Sequence, residues 1–482
     1  MTARFATRMT IACLTGALFA LPAAAQAKRY TEIKKTPLPD FKVPEPETFT
    51  LKNGMRVFLM EDREIPIISV RTMIRTGSFW EPQNKVGLAR LTGTVQRTGG
   101  TTSMTGDQID DFLEARAAIV ETGIGGDSGG ASMNCLKQDF DDVFKVYLDV
   151  LRNPAFAQDK LDLAKVQANA SIARRNDSVG GITSREIARL VYGPDSPIVS
   201  LEEYATIAAI TRDDLVAWHK KYYVPNNIML GVSGDFDPKA MRKTIEQAFA
   251  SWPKGLDVTV GKIPYRTTPN PGVFFIEKPD VTQANIAMAE LGIEQKNPDY
   301  FAAQIMNEVL GGGFSGRLVN SIRTKQGLAY SVSGGLGAAF DRPGLMRLGM
   351  QTKSASLFDA IAALKVEVGG IVTNPPTDDE MGLAKESILN SFIFNYDSRE
   401  GILAQQMNYA YHDLPSNYLE MYRGNIEKVT KDDVVRVAKK YVHVDDLSIL
   451  IVGKAADFGK PLDTLGKVTT VDIAIPKKPA TN

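Results

Sequence analysis

The chain repeats itself. Thr211–Tyr222 (TRDDLVAWHKKY) aligns without a gap on Thr430–Tyr441 (TKDDVVRVAKKY), an offset of 219 positions. Asn153-Pro154 returns as Asn374-Pro375, and Leu163-Ala164-Lys165 returns as Leu383-Ala384-Lys385, at offsets of 221 and 220. One common shift across separate segments implies two homologous lobes; a solenoid would need many short units. Each copy of the first segment opens on a Thr that suits a helix N-cap, follows it with acidic residues that suit the helix dipole, ends in a Lys pair, and runs into an apolar strand. With 482 residues and 44% hydrophobic content, the chain is long enough for two cores. The reading is a duplicated α+β domain: lobes at 28–250 and 272–482, and a Pro-rich, aperiodic linker at 251–271.

Within the first lobe, Asn53-Gly54 between two apolar runs predicts a hairpin. Ile65–Arg75 predicts a strand, and Val86–Gln96, Phe140–Leu151 and Lys160–Asn176 predict helices. The N-terminus reads as an export signal. Arg4 and Arg8 precede an apolar stretch from Ile11 to Leu21 and a small-residue run ending at Ala27, after which cleavage is expected. The apolar stretch is too short to span a bilayer, so the expected product is a soluble, periplasmic chain without a membrane anchor. Lys+Arg and Asp+Glu both number 56, which argues against a basic nucleic-acid footprint. Cys13 leaves with the signal, and Cys135, alone in a strand-like stretch, is expected to be a buried small hydrophobe.

The order strand, Gly77-Ser78-Phe79-Trp80-Glu81, then Gly87-Leu88-Ala89 opening a helix, is similar to the N-terminal lobe of the M16 family of zinc peptidases. The resemblance covers nearly the whole chain after the signal. It implies two M16-type lobes, each a mixed sheet with helices, forming half of a clamshell chamber. Active members carry His-x-x-Glu-His just after Gly-Leu-Ala. Two His four residues apart share one helix face and clamp Zn²⁺, and the Glu activates a metal-bound water. Here the three positions are Arg90, Gly93 and Thr94. An arginine has no free lone pair and keeps its charge. The third ligand in active relatives is a Glu on a later helix, and residues 163–176 contain no carboxylate. His219, His412 and His443 are dispersed and read as surface or helix-end residues. No catalytic residue, metal site or cofactor is therefore expected in this chain.

The second lobe keeps more. Gly311-Gly312-Gly313-Phe314-Ser315-Gly316-Arg317-Leu318 leads to Arg323 and then to Gly327-Leu328-Ala329-Tyr330. This is similar to the C-terminal half of active M16 peptidases, where an Arg and a Tyr seven residues apart reach the substrate at the metal. The resemblance implies substrate binding by Arg323 and Tyr330, since hydrolysis builds negative charge on a carbonyl oxygen that such donors stabilise. The bland alternative is a helix-end arginine and a packed strand tyrosine. No Gly-Lys-Ser/Thr follows the glycines, which argues against a phosphate loop. The expected function is that of the non-catalytic, substrate-binding subunit of a heterodimeric periplasmic zinc endopeptidase. A homologous partner with His-x-x-Glu-His would supply zinc and general base, and peptides or unfolded segments would be the substrates. The alternative is a catalytically inactive scaffold or binding protein in a larger complex.

Overall fold

The computed structural model describes residues 43–478, so the expected signal at 1–27 lies outside the described residues. Among the described residues, 45–478 form one compact unit. Its first half contains β1 (Glu47–Thr50), β2 (Arg56–Glu61), β3 (Ile67–Ile74), α1 (Leu88–Thr98), α2 (Gly106–Glu114), β4 (Ile119–Ile124) and β5 (Gly129–Leu136). There follow α3 (Phe140–Arg152), α4 (Gln158–Arg174), α5 (Val179–Tyr192), α6 (Tyr204–Ala209), α7 (Arg212–Tyr222), β6 (Ile228–Gly234) and α8 (Pro238–Phe249). Residues 251–271 carry no helix or strand.

The second half contains β7 (Gly272–Glu277), β8 (Gln283–Leu291), β9 (Ile293–Glu294), α9 (Tyr300–Gly311), β10 (Ala329–Ala339) and β11 (Pro343–Lys353). It continues with α10 (Leu357–Thr373), α11 (Asp378–Phe392), α12 (Arg399–Tyr411), α13 (Tyr418–Lys428), α14 (Lys431–Tyr441), β12 (Ser448–Gly453) and β13 (Val468–Thr470). Among the described residues no helix is long and apolar enough to cross a membrane.

The repeat is a repeat of topology. The first sheet runs β1-β2-β6-β3-β5-β4 and the second β13-β7-β12-β8-β11-β10-β9. Five strands correspond one to one, in the same spatial order. The pairing senses agree as well: β2 with β6 and β7 with β12 are parallel, while β3 with β6 and β8 with β12 are antiparallel. The repeated Thr residues cap α7 and α14 in the same way: Thr211 and Thr430 accept from the N–H of Asp214 and Asp433, whose carboxylates return the bond to the Thr N–H. The predicted hairpin joins β1 to β2 across Asn53-Gly54.

Alternation along β3 places Ile68, Val70, Thr72 and Ile74 inward and Ser69, Arg71 and Met73 outward. Ile68, Val70 and Ile74 join Leu88, Leu91 and Val95 of α1 in the first core. Cys135 belongs to the same core at 1% exposure, which raises its thiol pKa to about 11 by desolvation. The second core lies correspondingly between the second sheet and α9, α10 and α14.

The two halves exchange a helix. The outer face of the second sheet is covered by α5 from the first half, whose Ile182, Ile187 and Val191 pack on Ile276, Ala287, Leu450 and Val452. The outer face of the first sheet is crossed by α12 from the second half, where Met407 and Leu403 close over Gly231 of β6. Arg75 donates to the carbonyl of Tyr411 at 2.7 Å, and the Tyr411 hydroxyl donates to the carbonyl of Asp127 at 2.7 Å. The exchanged helices start 220 positions apart, so the swap is itself part of the duplication.

Candidate functional site

Helix α1 is where a metal would be held, and its surroundings show what took the metal's place. The helix starts after Gly87, and the buried Glu81 carboxylate accepts from the N–H groups of Gly87 and Ala89 at 2.8 and 2.6 Å. Those donors have no partner within the helix, so Glu81 satisfies them as a capping residue would. Burial nevertheless pushes its pKa up to about 7. One turn on, Arg90 Nε and Nη2 donate to Glu202 Oε1 and Oε2 at 2.5 and 2.6 Å, a fork-to-carboxylate pair. The paired carboxylate raises the Arg90 pKa further.

At Gly93 the helix touches strand β4. A Cβ there would lie 2.6 Å from the Ile124 nitrogen and 2.9 Å from Gly123, and the Thr122 hydroxyl donates to the Gly93 carbonyl at 2.6 Å. The volume that a general-base side chain would need is filled by strand backbone. Thr94 is half-buried and offers a single hydroxyl. In α4, Leu163 to Arg174 supplies only amide, hydroxyl and cationic groups, with Lys165 turned to the Ala208 carbonyl and Asn169 Oδ1 enclosed without a partner. Among the described residues no three His, Cys, Asp or Glu side chains group together. This donor set does not fit Zn²⁺, which requires neutral imidazoles, thiolates or carboxylates converging on one point.

The histidines need correction in one respect. His219 does sit in the last turn of α7, but it is not a surface residue. Its Nε2–H donates to the Leu151 carbonyl at 2.9 Å and its ring stacks on Tyr223 at 4.3 Å, and burial pulls its pKa down to about 4. His412 lies flat on Phe340 at 3.6 Å. Only His443, paired with Glu290 at 3.4 Å, is exposed. Tyr223 of the same helix end and the distant Phe156 flank His219, and Phe340 covers His412; the two distant contacts are ones that sequence spacing does not report.

In the second half the structure brings Arg323 and Tyr330 together. Arg323 lies in a single wide turn, Val319–Lys325, and Tyr330 is the second residue of β10; Gly327 between them adopts φ +65°, a left-handed conformation suited to glycine. The Arg323 guanidinium stands 5.6 Å from the centre of the Tyr330 ring and 5.4 Å from that of Phe314. Both rings face solvent, at 75% and 79% exposure. An amphipathic strand tyrosine would be packed, and this one is not. Arg317 fixes the loop from behind, gripping Glu380 at 2.7 and 2.8 Å and the Asn374 carbonyl at 2.8 Å.

Sequence reading missed Glu81, Glu202 and Phe314. Glu81 and Phe314 lie inside the quoted motifs and could have been weighed. Nothing near Glu202 marks it as the partner of Arg90.

With this geometry in view, comparison with known proteins decides the family. Residues 56–186 match the model described as insulinase, peptidase family M16, and residues 209–388 match the peptidase M16 inactive domain. The chain belongs to the M16 peptidase family. Among M16 relatives it is similar to the non-peptidase homolog YmxG of Helicobacter pylori, at 24% identity over 82% of this chain and 91% of the relative. It is also similar to an uncharacterized zinc protease of Rickettsia felis, at 23% identity over 81% and 93%. The solved peptidase M16 inactive domain from Pseudomonas fluorescens superposes with a TM-score of 0.75 at 26% identity, covering 85% of this chain and 98% of that one. A protease from Helicobacter pylori shares the fold, with a TM-score of 0.73 at 18% identity over 85% and 100%. This M16 chain is thus an inactive-type scaffold in which an ion pair and a strand occupy the metal helix.

Proposed function

We propose that this chain is the non-catalytic, substrate-binding subunit of a heterodimeric M16 zinc endopeptidase, exported to the periplasm after removal of its first 27 residues. A homologous partner with His-x-x-Glu-His would supply zinc and general base, and this chain would supply half of the chamber and the pair Arg323 and Tyr330. One observation carries the reading: the metal helix is closed by packing, while Arg323 and Tyr330 are held together and left open to solvent. A guanidinium and a phenol presented side by side can donate to a peptide carbonyl and stabilise the oxyanion that forms on it.

The test is reconstitution. The chain alone should show no peptidase activity, and mixing with an M16 homologue that carries the zinc motif should raise that homologue's turnover of unfolded peptides. Arg323→Ala with Tyr330→Phe should lower kcat/KM of the mixture by about 100-fold without weakening association. No gain on mixing, or a gain that the double variant keeps, would favour the second reading. That reading is an inactive scaffold or binding protein in a larger complex, and the similarity to a relative named as a non-peptidase homolog speaks for it.

A further inference from the structure

Arg323 has no polar anchor of its own. It is half-buried, and among the described residues it makes no ion pair or hydrogen bond; its guanidinium meets the Phe314 and Tyr330 rings. Both rings are exposed, so where the guanidinium stands is set by the backbone beneath it. That backbone is the wide turn Val319–Lys325, after which the Gln326 N–H reaches back five residues to the Ser321 carbonyl at 3.0 Å. Turns of this width are rare and occur frequently at functional sites. A single turn has few hydrogen bonds of its own, so its surroundings must hold it.

Ile322 and Ser321 supply that hold. Ile322 is fully buried in the second core and fixes the depth of the turn. Ser321 fixes it laterally. Its hydroxyl donates to Glu367 Oε1 at 2.5 Å and accepts from the Gln326 side-chain amide at 3.1 Å, so one oxygen links the start of the turn, its end and α10. A hydroxyl has one proton to give, and the carboxylate fixes its direction, which leaves the lone pairs for Gln326. Glu367 stands 46 positions from Ser321 in the chain and is flanked in α10 by Leu364 and Val368, both fully buried, so the helix that carries it is pinned to the core. The Arg317 pKa is raised first by the hydrogen-bonded Glu380 and further by Glu367, which places Glu367 beside that grip as well as beside the turn.

We propose that Glu367 is a positioning residue for Arg323, acting through Ser321 and the wide turn, on the reading given above that Arg323 meets the substrate. A donor to a developing oxyanion acts within hydrogen-bond reach, and a misplaced one costs rate more than binding. The carboxylate itself touches no substrate; it keeps the turn in the one arrangement that presents the guanidinium beside Tyr330.

The test has two arms. On the chain alone, hydrogen exchange should show the Gln326 and Leu328 amides, which close the turn, exchanging at least about tenfold faster in Glu367→Ala and Ser321→Ala. Glu367→Gln should stay near the native rate, because its amide oxygen still accepts from Ser321. Phenylglyoxal labelling of Arg323 should quicken in the same two variants. In the mixture with the zinc-bearing homologue, Glu367→Ala should lower kcat about tenfold with KM within about threefold, and should cost nothing further once Arg323→Ala is present. Thermal melts check the fold, and Ser321→Ala, which removes a single oxygen, serves if Glu367→Ala melts early. Native exchange and labelling rates in both alanine variants, or a loss that adds to that of Arg323→Ala, would overturn the assignment. An inactive mixture overturns the division of labour instead, and the first arm then decides by itself whether Glu367 holds Arg323.

Discussion

Arg90 and Glu202, 112 positions apart in the chain, meet through two hydrogen bonds of 2.5 and 2.6 Å on the helix that binds zinc in active M16 peptidases. The pair ties the first turn of α1 to the segment entering α6, so the former ligand position has become a structural tie. Removing one partner leaves the other without its counter-charge. Arg90→Ala should cost about 1 kcal/mol, held down by solvent screening of a guanidinium that is 42% exposed, and Arg90→Lys should cost less. Chemical denaturation of the three proteins measures this.

Restoring the motif should not restore a site. The triple variant Arg90→His, Gly93→Glu, Thr94→His places a side chain where the Ile124 nitrogen would lie 2.6 Å from its Cβ. Gly93→Glu alone should destabilise the fold by about 2 to 3 kcal/mol through overpacking against a strand. Metal analysis of the dialysed triple variant should find no stoichiometric zinc. Stoichiometric zinc with unchanged stability would show that β4 yields and that the closure described here is not obligatory.

The exchanged helices make each half depend on the other. Met407 is fully buried against Gly231 of the opposite half, and Met407→Ala should cost about 3 kcal/mol. Residues 45–250 expressed alone would leave α5 and the outer face of their sheet uncovered, and residues 272–482 would do the same with α12. Neither fragment should show a cooperative thermal transition, and co-expression should recover one.

His219 sets an acid limit. Burial lowers its pKa from the ordinary 6.5 to about 4, so between those values the unfolded chain takes a proton that the folded chain refuses. Its contribution is whole above pH 6.5 and is lost as pH falls towards 4, by about 3 kcal/mol in all. Urea midpoints at pH 7.5 and 4.5 should separate accordingly in the native chain, and His219→Gln, which keeps a donor for the Leu151 carbonyl, should narrow the gap.

Much of this was legible in the chain. The repeat fixes two equivalent sheets because the capping Thr, the acidic first turn and the strand after α7 act over a few residues each. The absence of zinc ligands is legible because ligand chemistry belongs to residue type: no conformation makes Arg90 a zinc donor. The association of Arg323 with Tyr330 was inferable through Gly327, since a seven-residue separation across one turn leaves little freedom.

What the sequence by itself determined is the duplication, the emptied motif and the spacing of the retained pair. Only the tertiary structure decided that Glu202 holds Arg90, that β4 seals Gly93, that Phe314 joins Arg323, and that α5 and α12 change places. The reason is physical. The first group rests on residue chemistry and on contacts a few positions long. The second rests mostly on distant segments packed into contact, where which backbone meets which side chain is settled by close packing of the whole fold and leaves no local pattern to read.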